Sequence, residues 1–460
     1  MRLDLAEYHA FIAGKKSAAR KAGFSPDDLP SRLFAHQSAA TAFACEKGKS
    51  ALFLDTGLGK SGCEAVFADE ARRRTSRPAL ILTPLAVARQ MQRECAAFGV
   101  EAKVIREDDE VFPGVNIANY ERLPKLNISR FGCIALDESS ILKSFTGSTK
   151  RALVAAFAET PYRLAATATP APNDHMEIGQ HAEFLGVMPG SEMLSRWFIS
   201  DQTAMGGYRL KGHAASSFWE WVASWSRAAS LPSDLGGDDA GFALPPLIYH
   251  THIARADILA GDFDGLFRTP DGSATSLHKE KRLTLDERVA RAAEIANDAT
   301  GSVIVWCETN DESAALTKAI EDSVEVRGSM TPDEKERRLD SFTFGERRVI
   351  VTKPKIAGFG LNWQHAHTIV FASISHSYEQ HYQAIRRSWR FGQKKPVDAH
   401  IVIADTEAPI WSNVLRKAED HERMKQAMSR AMSRAQNESE LRRAYARSST
   451  ITLPSFMDRE

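Results

Sequence analysis

The sequence predicts an α/β protein of two parallel-sheet lobes in tandem, with a mainly helical segment inserted between them and a helix at the C-terminal end. Three observations predict it. From about Leu33 to Gly186, short apolar runs alternate with helical patterns, the rhythm of a parallel sheet covered by helices on both faces. A second series of the same kind begins near Thr284. Between the two, composition shifts toward tryptophan, glycine and aspartate, as in FWEWVASWSR and SDLGGDDAGF, without repeating either series.

Taken in order, the first series holds SALFL (Ser50 to Leu54), ALILT (Ala79 to Thr83), AKVI (Ala102 to Ile105), VNIA (Val115 to Ala118), CIALD (Cys133 to Asp137) and YRLAAT (Tyr162 to Thr167). Helices such as AVARQMQRECAAFG separate them. The second holds SVIVW (Ser302 to Trp306), VEVR (Val324 to Arg327), RRVIVT (Arg347 to Thr352), TIVFA (Thr368 to Ala372) and AHIVIA (Ala399 to Ala404). The expected division is an N-terminal extension over 1–28, a first lobe over 29–186, an insertion over 187–280, a second lobe over 281–412 and a helical tail over 413–460.

Composition narrows the classes of function. A chain of 460 residues, 43% hydrophobic and 26% charged, reads as soluble and globular with material for more than one core. Formal net charge is zero, so a polyanion would be held by local patches and not by a global field. The five cysteines fall singly, which argues against a zinc ribbon or a disulfide framework and for a reducing compartment. No stretch approaches the roughly 18 to 20 apolar residues of a membrane span, and MRLDLAEYHAFIAGKK lacks a signal-peptide core. A cytoplasmic protein is expected, in a bacterium or a phage-infected host cell, monomeric when free.

Chemistry concentrates in LDTGLGKSGCEA, Leu54 to Ala65. It ends a strand, turns through two glycines and opens a helix, as a phosphate-binding loop does, although Leu54 stands where the usual loop has its first glycine. Gly57 and Gly59 sit where backbone must approach an anion, Lys60 would reach the β- and γ-phosphates, and Ser61 would ligate magnesium. A plain glycine turn between strand and helix is the bland alternative. Asp137 and Glu138, in IALDESS at the end of a strand, weigh against it. The first carboxylate can hold magnesium through water and the second can orient the attacking water.

The order AHQSAATAF, DTGLGKS, ILTPLAVARQMQRE, NYERL, LDESSILK, ATATPAPND, GFGLNWQ and QAIRRSWRFGQKKPV resembles the superfamily-two DEAD/DEAH-like helicases, and within them the Swi/Snf-type ATPases that translocate on double-stranded DNA. The resemblance implies two RecA-like phosphate-loop lobes, ATP and Mg2+ as cofactors, and DNA as partner, duplex favoured. It leaves the insertion and both ends unmatched. The family's loops often use G-x-G-K-[ST] without the first glycine, so GLGK is in keeping with it.

Carried over by position, the resemblance gives Gln37 the adenine edge, with Thr56, Gly57, Leu58, Gly59, Lys60, Ser61 and Gly62 around the phosphates. Thr83, Pro84, Asn119 and Tyr120 match segments facing the nucleic-acid backbone. Thr167 and Thr169 match the motif coupling hydrolysis to lobe movement. Gly358, Gly360, Leu361 and Asn362 match the second-lobe loop between nucleotide and nucleic acid, Gly360 on the nucleotide side. Gln383, Arg387 and Arg390 match the final motif, whose arginines reach across the cleft to the γ-phosphate, with Arg390 as the finger. Departures are Ser139-Ser140 where relatives have Ala-His or Ala-Asp, and Met91 where tryptophan is common.

Other constellations read more simply as structure. Phe218, Trp221, Val222 and Trp225 form a buried helix stripe with Trp219 off it, and Met424, Met428 and Met432 a stripe docking the tail on its own second lobe. His250 and His252 share a strand face without further ligands nearby, and Asp262 and Asp264 mark a turn. The expected function is an ATP-dependent DNA translocase. A strand-separating DNA or RNA helicase, a nucleotide-gated clamp without turnover and a phosphate-loop enzyme unconnected with nucleic acid stay open.

Overall fold

The computed structural model describes residues 21–84, 87–143, 147–201, 207–254, 282–357, 361–404 and 407–445. The expected sites Gly358, Gly360, Asp262 and Asp264 lie outside them.

The first lobe runs α1 (Ala35–Lys47), β1 (Lys49–Leu54), α2 (Lys60–Thr75), β2 (Ala79–Thr83), α3 (Ala88–Ala97), β3 (Ala102–Val104), β4 (Val115–Asn119), β5 (Cys133–Asp137), α4 (Ser148–Ala156), β6 (Tyr162–Ala166) and α5 (Ile178–Leu185). Then follow α6 (Gly190–Trp197), an antiparallel hairpin of β7 (Phe198–Asp201) and β8 (Gly207–Leu210), α7 (Ala215–Trp225), β9 (Ser226–Ala229) and β10 (Leu247–Ala254). The second lobe holds α8 (Leu285–Asp298), β11 (Val303–Trp306), α9 (Asn310–Ala319), β12 (Ser323–Val326), α10 (Pro332–Thr343), β13 (Val349–Thr352), the single turn α11 (Pro354–Ala357), β14 (Thr368–Phe371), α12 (Tyr378–Ile385) and β15 (Val397–Ala404). A 38-residue helix, α13 (Ala408–Tyr445), ends the described chain.

Both large sheets are parallel throughout, in the order β3-β4-β2-β5-β6-β1-β9 for seven strands and β10-β15-β14-β11-β13-β12 for six. Each is buried on both faces, which is why its central strands read as unbroken apolar runs. In β1, Ala51 and Phe53 enter one core while Leu52 and Leu54 enter the other. In β11, Ile304 and Trp306 face one core and Val303 and Val305 the other. Two tandem parallel α/β lobes are therefore the architecture. No described helix is long and apolar enough to cross a membrane.

The segment between the lobes, expected as a mainly helical insertion, also supplies strands to both sheets. Its strand β9 pairs with β1 and closes the first sheet, and its strand β10 pairs with β15 at the edge of the second. The reason is that the long connection supplies one edge strand to each lobe. Within it, α7 buries Phe218, Trp221, Val222 and Trp225, and also Trp219, which meets the ring of His175 at 5.4 Å. His250 bonds Asp398 at 2.8 Å and His252 meets His400 at 3.0 Å across the β10–β15 pair.

The tail departs most from expectation. Met424, Met428 and Met432 pack not on the second lobe but into the first-lobe core that contains Phe218 and Trp225. The thioether of Met432 accepts from the Ala228 amide at 3.1 Å. The aromatic face of α7 offers a deep apolar surface that flexible methionines fill well, so α13 leaves its own lobe and crosses to the other.

Candidate active site

The phosphate loop is built between β1 and α2. Its first residue, Asp55, is tied by its amide to the carbonyl of Ala229, 2.9 Å away on β9. Gly57 and Gly59 have φ of 99° and 79°, in the left-handed region where side chains are strained. Space forbids side chains as well: a Cβ on Gly57 would lie 2.7 Å from the Phe391 Cβ, and one on Gly59 would lie 1.9 Å from the Gln37 amide nitrogen. Leu58 is buried, Gly62 lies under the Phe98 ring, and Thr56 and Ser61 are half-buried beside Lys60. The Lys60 ammonium donates to the Leu54 carbonyl at 2.9 Å, folded across the mouth of the loop.

Gln37 is held at both ends of its amide, one of them on the loop. Its NH2 donates to the Leu58 carbonyl at 3.2 Å and its oxygen accepts from the Phe34 amide at 3.0 Å. His36 meets the same Leu58 carbonyl at 3.2 Å. In this conformation both side chains brace the loop.

Asp137 ends β5 and Glu138 follows it in the turn. Glu138 has φ of 51°, a strained value for a residue with a side chain, and such strain is retained where surroundings over-determine it. Its carboxylate accepts from the Gln383 amide of the second lobe at 3.3 Å and from the Thr167 hydroxyl at 3.5 Å. The Thr167 oxygen also accepts from the Thr169 amide, so the TAT segment touches the acid directly. Burial, then the charge of Glu138, pushes Asp137 up to about 7, against the pull of Lys60 and Arg387. Ser139 bonds His181 at 3.1 Å within the first lobe, and it is Lys143 that crosses to Glu379.

Across the cleft, Gln383 on α12 is the hinge of a short relay. Arg387 donates to the Gln383 side-chain oxygen at 3.1 Å, to the Gln383 carbonyl at 3.0 Å and to the Leu361 carbonyl at 2.8 Å. Arg390 donates to the same Leu361 carbonyl at 3.2 Å, while its Nε meets no acceptor. Burial lowers both guanidinium groups; Arg387 then feels the charge of Arg390 before those of Glu138 and Asp137, whereas Arg390 feels those of Glu94 and Arg386.

The nucleic-acid set is less coherent. Thr83 and Tyr120 are buried, and the Tyr120 hydroxyl donates to the Asp137 main-chain carbonyl at 2.6 Å. Pro84 and Asn119 are half-buried, and only Asn362 is exposed.

Sequence reasoning missed Asp55, Arg386 and Lys425. Asp55 accepts from Tyr382 at 2.9 Å, from Arg386 at 3.3 Å and from Lys425 at 2.9 Å, so both the second lobe and α13 grip the root of the phosphate loop. Burial raises Asp55, but Arg386 and Lys425 overcome it and hold the carboxyl at about 2. Since that lies below the unfolded value, the network stabilises the closed cleft above about pH 4 and loses its contribution as pH falls toward 2. Lys425→Met is expected to cost about 1.5–3 kcal/mol at neutral pH, read as a lower urea midpoint. A midpoint within error of the parent would show that Arg386 and Tyr382 suffice.

A cavity of about 230 Å³ opens beside this network, lined by Thr56, Gly57 and Leu58 on one side and Arg386, Trp389 and Phe391 on the other. A larger one, about 330 Å³, lies between Asp28–Ser31 and Phe98–Val100 and contains none of the acids or arginines above. The first is the one adjoining the glycine loop.

Residues 285–392 match the family model of the helicase conserved C-terminal domain. Residues 285–392 of the second lobe are a helicase C-terminal domain. This helicase domain contains Gln383, Arg386, Arg387 and Arg390, and its matched region stops before β15 and α13. Among solved structures, the chain is similar to S. cerevisiae Dbp5 bound to RNA and ADP BeF3, at 12% identity over 88% of this chain and 94% of that one, with a TM-score of 0.54. It is also similar to the Sulfolobus solfataricus SWI2/SNF2 ATPase core in complex with dsDNA, at 17% identity over 88% and 96%, with a TM-score of 0.41. At such identities the likeness to Dbp5 is one of fold. No curated protein sequence matches the chain.

Proposed function

We propose that the chain is an ATP-dependent translocase on duplex DNA that hydrolyses ATP in the cleft between its lobes. One observation carries this reading: Glu138 of the first lobe is bonded to Gln383 of the helicase domain, which holds Arg387. The group that would orient water and the group that would stabilise γ-phosphate charge are thereby assembled only when the lobes are together. Phosphoryl transfer asks chiefly for such positioning and charge stabilisation. Closure then couples hydrolysis to a change of grip on a phosphate backbone.

The loop amides around Gly57 to Ser61, with Lys60, would cradle the β- and γ-phosphates. A hydroxyl and a carboxylate beside one lysine suit a hard cation, so Ser61 and, through water, Asp137 would hold Mg2+, which when bound neutralises charge on the phosphate oxygens. Duplex DNA is favoured by the NYERL, GFGLNWQ and RRSWRFGQKKPV segments, of which Asn362, Lys394 and Lys395 are exposed.

ATP turnover measured in parallel without nucleic acid and with duplex DNA, single-stranded DNA or RNA tests the reading. Duplex DNA is expected to stimulate most, with stimulation falling as salt rises because phosphate contacts release counterions. Equal stimulation by RNA would replace the DNA assignment with that of an RNA helicase, and no stimulation by any of them would end the translocase reading.

A further inference from the structure

Glu64 lies on α2, three residues after Ser61 and four after Lys60, so it shares their helix face one turn further in. It is 0% exposed, and neither carboxylate oxygen meets a hydrogen-bonding partner in the protein. Its sequence neighbours Cys63 and Ala65 are core residues, and a leucine there would bury without penalty. The charges it feels are Asp137, Lys60 and Glu138, the same three that define the site. Protonation would remove its charge but would still leave an O–H and a C=O without partners. The Lys60 ammonium is bonded to the Leu54 carbonyl and to neither oxygen of Glu64.

We propose that Glu64 is a third carboxylate of the divalent-cation site, holding the hydrated ion together with Asp137 and Ser61. The proposal rests on the reading of the phosphate loop and β5 acids as a nucleotide site, and it adds a residue that neither motif includes. Its chemistry is that of a water-mediated anchor: a hard cation keeps several waters, and a buried carboxylate one turn from the hydroxyl ligand accepts from one of them. The cation in turn satisfies a carboxylate that the protein leaves unpartnered.

The test is Mn2+ binding to the full-length chain without nucleotide, followed by calorimetry, with thermal unfolding in EDTA and in Mn2+ on the same preparations. Glu64→Gln is expected to weaken Mn2+ by about 10- to 100-fold, as loss of such an anchor does. In EDTA it is expected to melt no lower than the parent, since the carboxyl it replaces is buried without a hydrogen-bonding partner, so no bond is lost. Glu64→Asp, which keeps the charge, is expected to retain most of the affinity. Unchanged Mn2+ affinity in folded Glu64→Gln, or equal loss in both variants, overturns the proposal; the second outcome would mark a packing effect. Binding of a fluorescent ATP analogue to the parent separates the two readings. A parent that binds the analogue while Glu64→Gln leaves Mn2+ affinity intact keeps the nucleotide site and loses only Glu64. A parent that binds neither analogue nor Mn2+ loses both.

Discussion

Lysine in place of Arg387 is expected to lower nucleic-acid-stimulated ATP turnover by about 10³ or more while leaving ATP binding nearly unchanged. The expectation follows from what the guanidinium does. It makes three hydrogen bonds at once, two to Gln383 and one to Leu361, and it is coupled in charge to Glu138 and Asp137. A lysine keeps the charge and loses the planar fork, so it cannot hold Gln383 and face a phosphate together. In the proposed function ATP affinity rests on the loop and Lys60, which the substitution does not touch. Arg390→Lys is the internal comparison. Its guanidinium is bonded to Leu361 but not to the Glu138 relay, so its loss of turnover is expected to be the smaller of the two. Turnover of each variant is read beside its thermal unfolding. If Arg390→Lys fell by orders of magnitude while folded Arg387→Lys ran at the parent rate, Arg390 would be the finger, as the motif alone implies.

The contacts of Arg387 and Arg390 have no signature in the sequence, whereas much of the fold around them has one. The strands around the site were legible because parallel sheets covered on both faces leave unbroken apolar runs such as CIALD and SVIVW. The loop was legible because two glycines at positive φ before Lys60 have few structural substitutes. Strand β9, Ser-Arg-Ala-Ala, has little intrinsic preference for a sheet and forms because β1 offers it an edge. Strand β10 alternates histidines with exposed residues because it is itself an edge. Pairings across the cleft leave no local signature at all: Lys425 and Asp55 are 370 residues apart, and the lysine reads in sequence as one more charge in a mixed helix. The same holds for Tyr120, whose hydroxyl turns beneath Asp137 although its motif places it toward nucleic acid. A motif identifies a segment, but the direction of a side chain is settled by packing.

Glu138→Gln and Lys60→Ala are expected to abolish turnover for different reasons that binding measurements separate. The glutamine has the shape of the glutamate, and its side-chain oxygen can still accept from Gln383 and Thr167, so the contact between the lobes survives. What it loses is the negative charge that orients and polarises the attacking water, worth about 10² to 10⁴ in rate. ATP should therefore bind at close to parent affinity and accumulate unhydrolysed in a closed cleft. Removing the Lys60 ammonium instead takes away the positive charge over the β- and γ-phosphates, and in the folded protein also frees the Leu54 carbonyl that it caps. ATP affinity and turnover should fall together. Equilibrium binding of ATP, single-turnover hydrolysis and protease protection of the cleft on both variants give the comparison. Weak ATP binding by Glu138→Gln would mean that this carboxylate organises the nucleotide and not the water. Parent-level hydrolysis by Glu138→Gln would remove the acid from the reaction altogether, and with it the cross-cleft relay through Gln383 as a coupling device.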